Sequence, residues 1–429
     1  MVPKLLVSPI DSYIDEDIKI TVSGCEKNDE VSIFATTFDD GNNKFRSEGK
    51  FIADCEGMVS VDSQRPIEGT YEGVDGSGLF WSMERADSPL GDYYEKKSSE
   101  AVTILLVLQV NGKVQDSVTI NRNFYKEDVK KENIEQEEIK GTLFHPIKKG
   151  RYPSIIILSG SDGGKQEHAA ALLASKGYTV FALSYFGEEG VPDNLENIPL
   201  EYFRRATMWL KEHPFVNGQI SLIGFSRGGE LALLLGATYD CYQSIIVSAP
   251  SAYITSGMKN GIFAPVSSWL LNQQALPYLK FTYRFSTLFN MAKNWIMKRP
   301  VSYLSIWDNS LKGNEEIKEA QIAVEAISVP IMFISGEDDQ LWPSARYVKM
   351  MEEKLRNSKG SQRNRYLYYQ HAGHFLSFPY SFVNLPANIF MNAGGMTMTF
   401  GGSKQANARA AKDSWEKILH FLEENMANS

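Results

Sequence analysis

The stretch ISLIGFSRGGELALLLGA, residues 220–237, runs from an apolar segment of strand length through a turn of small residues into a helix start. Residues 220–225 have the length of a buried strand, and the leucines of GGELALLLGA recur at helical spacing. Between them Gly224-Phe225-Ser226-Arg227-Gly228 fits G-x-S-x-G, a strained strand-to-helix turn that lifts a serine hydroxyl above a sheet edge. Neighbouring β-carbons would collide there with strand and helix, which is why the flanking positions must be small. The plainer alternative is a serine that merely caps the helix.

The surrounding sequence repeats the same rhythm. SIIILSG (154–160), YTVFALSYF (178–186), QSIIVSAP (243–250), VPIMFISG (329–336) and NRYLYYQ (364–370) are short apolar runs, with helical patterns such as EHAAALLASKG, LEYFRRATMWLKEH and SARYVKMMEEKLRN between them. This alternation predicts βαβ units on a parallel sheet covered on both faces, with right-handed crossovers bringing the strand C-termini to one edge. Upstream the period is different. From residue 15 to about 122, alternating runs are broken by turn residues, with Asp40-Gly41 and Asn111-Gly112 as hairpin signals, so six or seven strands form an antiparallel β-sandwich. The expected division is a sandwich over 1–125, a charged connector or edge strand over 126–140, and an α/β catalytic domain over 141–429 with an insertion or cap at 251–328. Length alone favours more than one core.

Composition narrows the function. Hydrophobic residues at 43% and aromatics at 12% provide core material, and a net charge of -8 disfavours nonspecific binding to nucleic acid. Cys25, Cys55 and Cys241 have neither zinc-ligand spacing nor a paired framework, so no structural metal or disulfide is expected and the compartment reads as the reducing cytoplasm. No window approaches the roughly 20 apolar residues of a membrane span, and the N-terminus does not read as a secretory signal. No cofactor motif is present.

A serine hydroxyl needs a base, and in this arrangement the base comes late, after the last strand. YLYYQHAGHFLSFP offers His371 and His374. His374 is preferred because it follows a small-residue turn in which Gly373 would let the chain approach the elbow; His145, His168, His213 and His420 read as surface or core positions. The acid that orients the imidazole should end the preceding strand. In IMFISGEDDQLWP, Asp339 is chosen over Asp338. The order Ser226, Asp339, His374 is the α/β-hydrolase order. For the oxyanion, Arg227 N–H and Ser161 N–H are the expected donors, the latter from the glycine-rich loop LSGSDGGKQEH (158–168), which could otherwise cradle phosphate. Glu230 reads as a first-turn glutamate favoured by the helix dipole, without a further role.

With these residues in view, the chain resembles the family of type I acyl-CoA thioesterases and bile acid-CoA:amino acid N-acyltransferases over nearly its whole length. IKITVSGCEKNDEVSIFATTFDDGNNKF and GSGLFWSMER are similar to the family's N-terminal sandwich; LEYFRRATMWLKEHPFVNGQISLIGFSRGGELAL, GEDDQLW, AGHF and FGGSKQANARAAKDSWEKILHFL are similar to its hydrolase domain. The family pattern supports Asp339 as the acid. Members with cysteine at the nucleophile conjugate acyl groups to amino acids and members with serine hydrolyse, so the resemblance implies an acyl-CoA thioester hydrolase working through an acyl-enzyme. A carboxylesterase indifferent to CoA, an amino-acid N-acyltransferase, and a non-enzymatic binding protein remain as alternatives. The departure from the family lies at 251–328, where aromatic and leucine-rich sequence with Lys280, Arg284, Lys293, Lys298 and Arg299 reads either as a cap meeting CoA phosphates or as an amphipathic surface helix.

Overall fold

The computed structural model describes residues 2–88, 93–136, 138–312, 315–356, 361–393 and 395–426. Two sheets make up the N-terminal part. One has three strands (Lys4–Ser8, Lys19–Ser23, Val59–Ser60) and the other seven, with Val102–Val110 at its centre between Glu30–Phe38 and Lys113–Asn123. Every second residue of Val102–Val110 faces inward: Val102, Ile104, Leu106, Leu108 and Val110 are buried. Both expected hairpins form. Asn111 and Gly112 have positive φ (48° and 76°), the backbone that an Asn-Gly turn was expected to supply. The pairing is antiparallel except at Asp11–Tyr13, which lies parallel to Lys113–Asn123.

The second part is built on an eight-stranded sheet, with smaller sheets beside it among the described residues. In chain order its elements are β1 (Val129–Gln136), β2 (Ile139–Pro146), β3 (Tyr152–Leu158), α1 (Glu167–Ser175), β4 (Thr179–Ser184), α2 (Leu200–Glu212), β5 (Val216–Phe225), α3 (Arg227–Thr238), β6 (Ile245–Ser248), α4 (Phe285–Ile296), β7 (Ile331–Gly336), α5 (Ser344–Leu355), β8 (Arg365–Tyr369) and α6 (Lys404–Met426). Across the sheet the strands run β1-β2-β4-β3-β5-β6-β7-β8, and all pairs from β4 through β8 are parallel. The order reverses around β3, so chain crossovers leave both faces covered by helices, and the core strands β3 to β7 are buried almost without interruption. This is the α/β-hydrolase sheet that the sequence predicts, joined to a β-sandwich.

The charged stretch 126–140 is mainly an edge strand and not a linker. Val129–Gln136 pairs antiparallel with β2, burying Val129 while Lys130, Lys131, Glu135 and Gln136 face solvent, and charges on an exposed edge oppose further strand addition. The 251–328 segment is likewise more than helical: it holds the hairpin Ser256–Lys259/Ile262–Ser267, the short pair Trp269–Leu271/Gln274–Ala275, α4 and a shorter helix at Leu304–Ser310.

The two parts meet along residues 93–99. His168 in α1 lies fully buried there, with Nδ1 3.2 Å from the Lys97 carbonyl and Nε2 3.0 Å from the Pro379 carbonyl. These two acceptors would welcome an imidazolium, but burial and the nearby Lys96 ammonium oppose it and win, pushing the His168 pKa down to about 4. Because the folded value lies below the unfolded one, the unfolded chain takes up its proton first. Stability from this site is therefore complete above pH 6.5 and is lost as pH falls, by about 2 kcal/mol at pH 5 and about 3 kcal/mol at pH 4. Denaturant midpoints measured from pH 7.5 to 5 should fall in the wild type and fall less steeply in His168→Gln. Equal slopes would mean that His168 does not titrate in this way.

Candidate active site

Ser226 sits between β5 and α3 with φ 55° and ψ -115°, a backbone that L-residues rarely adopt. The turn is held by Ser226 N–H donating to Ser248 O (2.8 Å) and Glu230 N–H donating to Ser226 O (3.0 Å). The glycines are required by close approach: a β-carbon on Gly228 would stand 2.4 Å from the carbonyl oxygens of Leu158 and Ser159, and one on Gly224 would stand 2.0 Å from Gly228 O. Ser226 is thus a strained elbow residue whose side chain makes no cap bond to the helix, which sets aside the simple capping alternative.

The acid and the base come together from two adjacent loops. Asp339, just past β7, has Oδ2 2.8 Å from His374 Nδ1 and both side chains are buried. The carboxylate is fully engaged: Oδ1 accepts from Leu341 N–H (3.0 Å) and Trp342 N–H (3.2 Å), and Oδ2 also accepts from Ser344 Oγ (2.6 Å). His374 N–H donates to Phe400 O (2.8 Å), and the ring stands edge-on to Phe225 at 5.1 Å. The competing candidates lie outside. His371 and Asp338 are exposed, and Asp338 accepts instead from Gln340 and Gly402 N–H. Gly373 approaches not the elbow but the FGG segment, where its β-carbon would meet Gly401 O at 2.1 Å. Gly401, at φ 81°, in turn bridges Asp339, so the glycine pair 401–402 clamps the acid loop against the histidine loop.

Ser226 and His374 line one cavity of about 180 Å³ together with Ser161, Phe225, Leu341, Phe375 and others. Next to Ser226, Arg227 N–H is the first amide of α3, with no earlier turn to accept it. Ser161 lies in the loop after β3, and the adjacent Gly160 N–H is committed to Tyr380 Oη (2.7 Å). The amides of Gly163 and Gly164 are committed as well, to Gly160 O and Phe186 O, and the loop carries the Asp162 carboxylate. A phosphate cradle would need those amides free and no anion beside them, so that alternative fails.

Sequence reading missed four contributors. Tyr380 stacks on Phe225 (4.5 Å), accepts from Gly160 N–H and Gln166 Nε2 and donates to Asp162; burial and that carboxylate hold its phenol well above the usual value. Its only trace in the sequence is the aromatic cluster FLSFPYSF. Tyr93 and Glu95 reach the cavity from the sandwich side, and Lys97 pairs with Asp162 at 2.9 Å. Nothing local marks them, because a sandwich loop becomes part of a site only through docking. None of the residues found lining this cavity belongs to 251–328.

Glu230 has a structural role that its position did not suggest. It is fully buried and paired to Arg227 (3.0 Å), and it accepts from Trp269 Nε1 (2.9 Å), Thr255 Oγ1 (2.7 Å) and Thr255 N–H (3.2 Å). Arg227 also donates to Ser256 O (3.0 Å) and to Ser268 Oγ. Burial raises the Glu230 pKa and lowers that of Arg227, and each charge offsets the other. The pair bolts the start of the 251–328 segment to the helix that carries Ser226. Glu230→Ala would leave a buried guanidinium without its counter-ion, and the expected loss is about 3–5 kcal/mol in denaturant unfolding. A loss below about 1 kcal/mol would show the pair to be dispensable.

Among the described residues no group of three or more His, Cys, Asp or Glu is placed to hold a metal ion. A family model described as BAAT / Acyl-CoA thioester hydrolase C terminal matches residues 198–428, and one described as Acyl-CoA thioester hydrolase/BAAT N-terminal region matches residues 15–136. Human acyl-coenzyme A thioesterase 6 is 27% identical over 419 residues, spanning 96% of this chain and 94% of that protein. Mouse acyl-coenzyme A amino acid N-acyltransferase 1 is 28% identical over 452 residues, spanning 100% and 99%. Among solved structures, the α/β hydrolase GrgF from Penicillium sp. sh18 is 17% identical, spans 70% of this chain and 99% of that one, and has a TM-score of 0.42.

Proposed function

The chain belongs to the acyl-CoA thioester hydrolase/BAAT family, and on that premise we propose that it hydrolyses acyl-CoA thioesters with Ser226 as nucleophile, His374 as base and Asp339 as the acid that orients the base. The observation that carries the reading is the 2.8 Å contact of His374 Nδ1 with a buried carboxylate, in a cavity that the strained Ser226 also lines. With Nδ1–H donated to Asp339, Nε2 is left to accept the serine proton.

Ser226 Oγ attacks the thioester carbonyl as His374 takes its proton, and the tetrahedral oxyanion is met by Arg227 N–H and Ser161 N–H. Collapse breaks the C–S bond with little need for acid assistance, because the thiol has a pKa of about 8.5, and the departing thiolate takes the serine proton from His374, which is left neutral. Water then attacks the acyl-serine while His374 accepts its proton, and collapse of the second tetrahedral intermediate returns that proton to Ser226 Oγ, giving the carboxylic acid and free Ser226. The unpaired state of Cys25, Cys55 and Cys241 supports a reducing, cytoplasmic setting.

Amino-acid conjugation is the second reading, favoured by the full-length match to an N-acyltransferase. An acyl-CoA panel assayed for free thiol, with and without glycine or taurine, separates the two. Hydrolysis predicts thiol release unaffected by the amino acid and free acid as product; an acyl-amide product would assign conjugation. Strong preference for acyl-CoA over the same acyl group on a short thiol is expected, and its absence would assign a general esterase.

A further inference from the structure

Helix α4 is inside out. Six of its seven apolar residues, Phe285, Leu288, Phe289, Ala292, Trp295 and Ile296, fall on one stripe at i, i+3, i+4, i+7 spacing, and all six are exposed, Phe285 at 84% and Ile296 at 77%. The face turned to the protein is Thr287, Met291 and Asn294, with Thr287 Oγ1 accepting from Asn309 Nδ2 at 2.8 Å. An ordinary surface helix buries its apolar stripe. Here the stripe points at solvent, and Ile262, at the turn of the 256–267 hairpin earlier in the same segment, is 72% exposed as well.

The charge around the stripe is one-sided. From residue 241 to residue 307 the sequence contains no Asp or Glu and six Lys or Arg, in a chain that carries 52 acidic residues. Arg284, Lys293, Lys298 and Arg299 are exposed on and beside α4, with no ion pair among the described residues. An apolar face with Trp and Phe, rimmed by cations on a stretch that carries no carboxylate of its own, matches an anionic bilayer surface: rings enter the headgroup boundary while lysine and arginine meet phosphate. A protein partner would need no such exclusion of acid over 67 consecutive positions.

Position adds a consequence. Trp295 Nε1 donates to Gly395 O (3.0 Å), and Val301 pairs with Thr397 and Met398 on the hairpin Phe390–Ala393/Met396–Thr399. That hairpin supplies Met391 to the Ser226 cavity, and Ser302 and Tyr303 bond Gln340 beside Asp339. We propose that α4 is an interfacial helix that docks this protein on an anionic membrane surface with the Ser226 cavity beside the lipid. The surface is independent of whether Ser226 turns over a thioester. Among the described residues no helix is long and apolar enough to cross a membrane, so the attachment is peripheral.

Vesicle flotation of the full chain tests this. The wild type should float with phosphatidylcholine vesicles containing phosphatidylglycerol, and at least about tenfold less with phosphatidylcholine alone or at high salt. Phe285→Ser with Phe289→Ser, and separately Lys293→Glu with Arg299→Glu, should each reduce flotation about tenfold while the circular dichroism and thermal midpoint stay at wild-type values. Equal flotation by wild type and both variants, or no flotation with anionic vesicles at low salt, would overturn the proposal. So would a dimer in light scattering that Phe285→Ser with Phe289→Ser dissociates, because it would assign the face to a second copy.

Discussion

Ser226→Ala is expected to lower kcat for acyl-CoA hydrolysis by about 10⁴-fold or more, leaving only what the oxyanion donors and substrate binding provide. KM should change little, because the hydroxyl contributes to the reacting centre and not to holding the substrate. The fold should survive: Ser226 makes no side-chain cap bond, and the turn rests on the backbone contacts to Ser248 and Glu230 and on its glycine neighbours. Thiol release under saturating acyl-CoA checks it. Retention of more than about a hundredth of wild-type kcat in a well-folded variant would place the nucleophile elsewhere.

The second large effect is at Asp339. Asp339→Asn keeps the size of the side chain but offers one carbonyl oxygen where the carboxylate satisfies Leu341 N–H, Trp342 N–H, Ser344 Oγ and His374 Nδ1 at once. An amide N–H facing His374 would favour the wrong tautomer and leave no stabilised imidazolium, and the cost expected is about 10⁴-fold in kcat. The neighbouring Asp338→Asn serves as the control, since Asp338 bonds Gln340 and the Gly402 amide at the surface. A larger loss from Asp338→Asn than from Asp339→Asn would reverse the assignment.

What could be read in advance followed local rules. The strand-turn-helix rhythm and the glycines flanking Ser226 express steric limits that act within a few residues, and position after a strand marks the two loops that carry Asp339 and His374. What could not be read depends on distant partners. Glu230 looks like any first-turn glutamate until Thr255 and Trp269 fold back onto it. Tyr93 and Glu95 belong to the sandwich by sequence and to the cavity by docking. The 126–140 stretch leaves connector and edge strand both open in the sequence because an edge strand buries few of its side chains, and its backbone pairing with β2 leaves no trace in composition. The outward stripe of α4 was visible as a period, but a period alone does not say which way a helix faces.

Labelling with a serine-directed fluorophosphonate, followed by peptide mapping, tests the centre of this account. One adduct per chain on the peptide bearing Ser226 is predicted, formed rapidly in the wild type, slowed in Asp339→Asn and absent in Ser226→Ala. An adduct on another residue, or none on a folded wild-type protein, would contradict it.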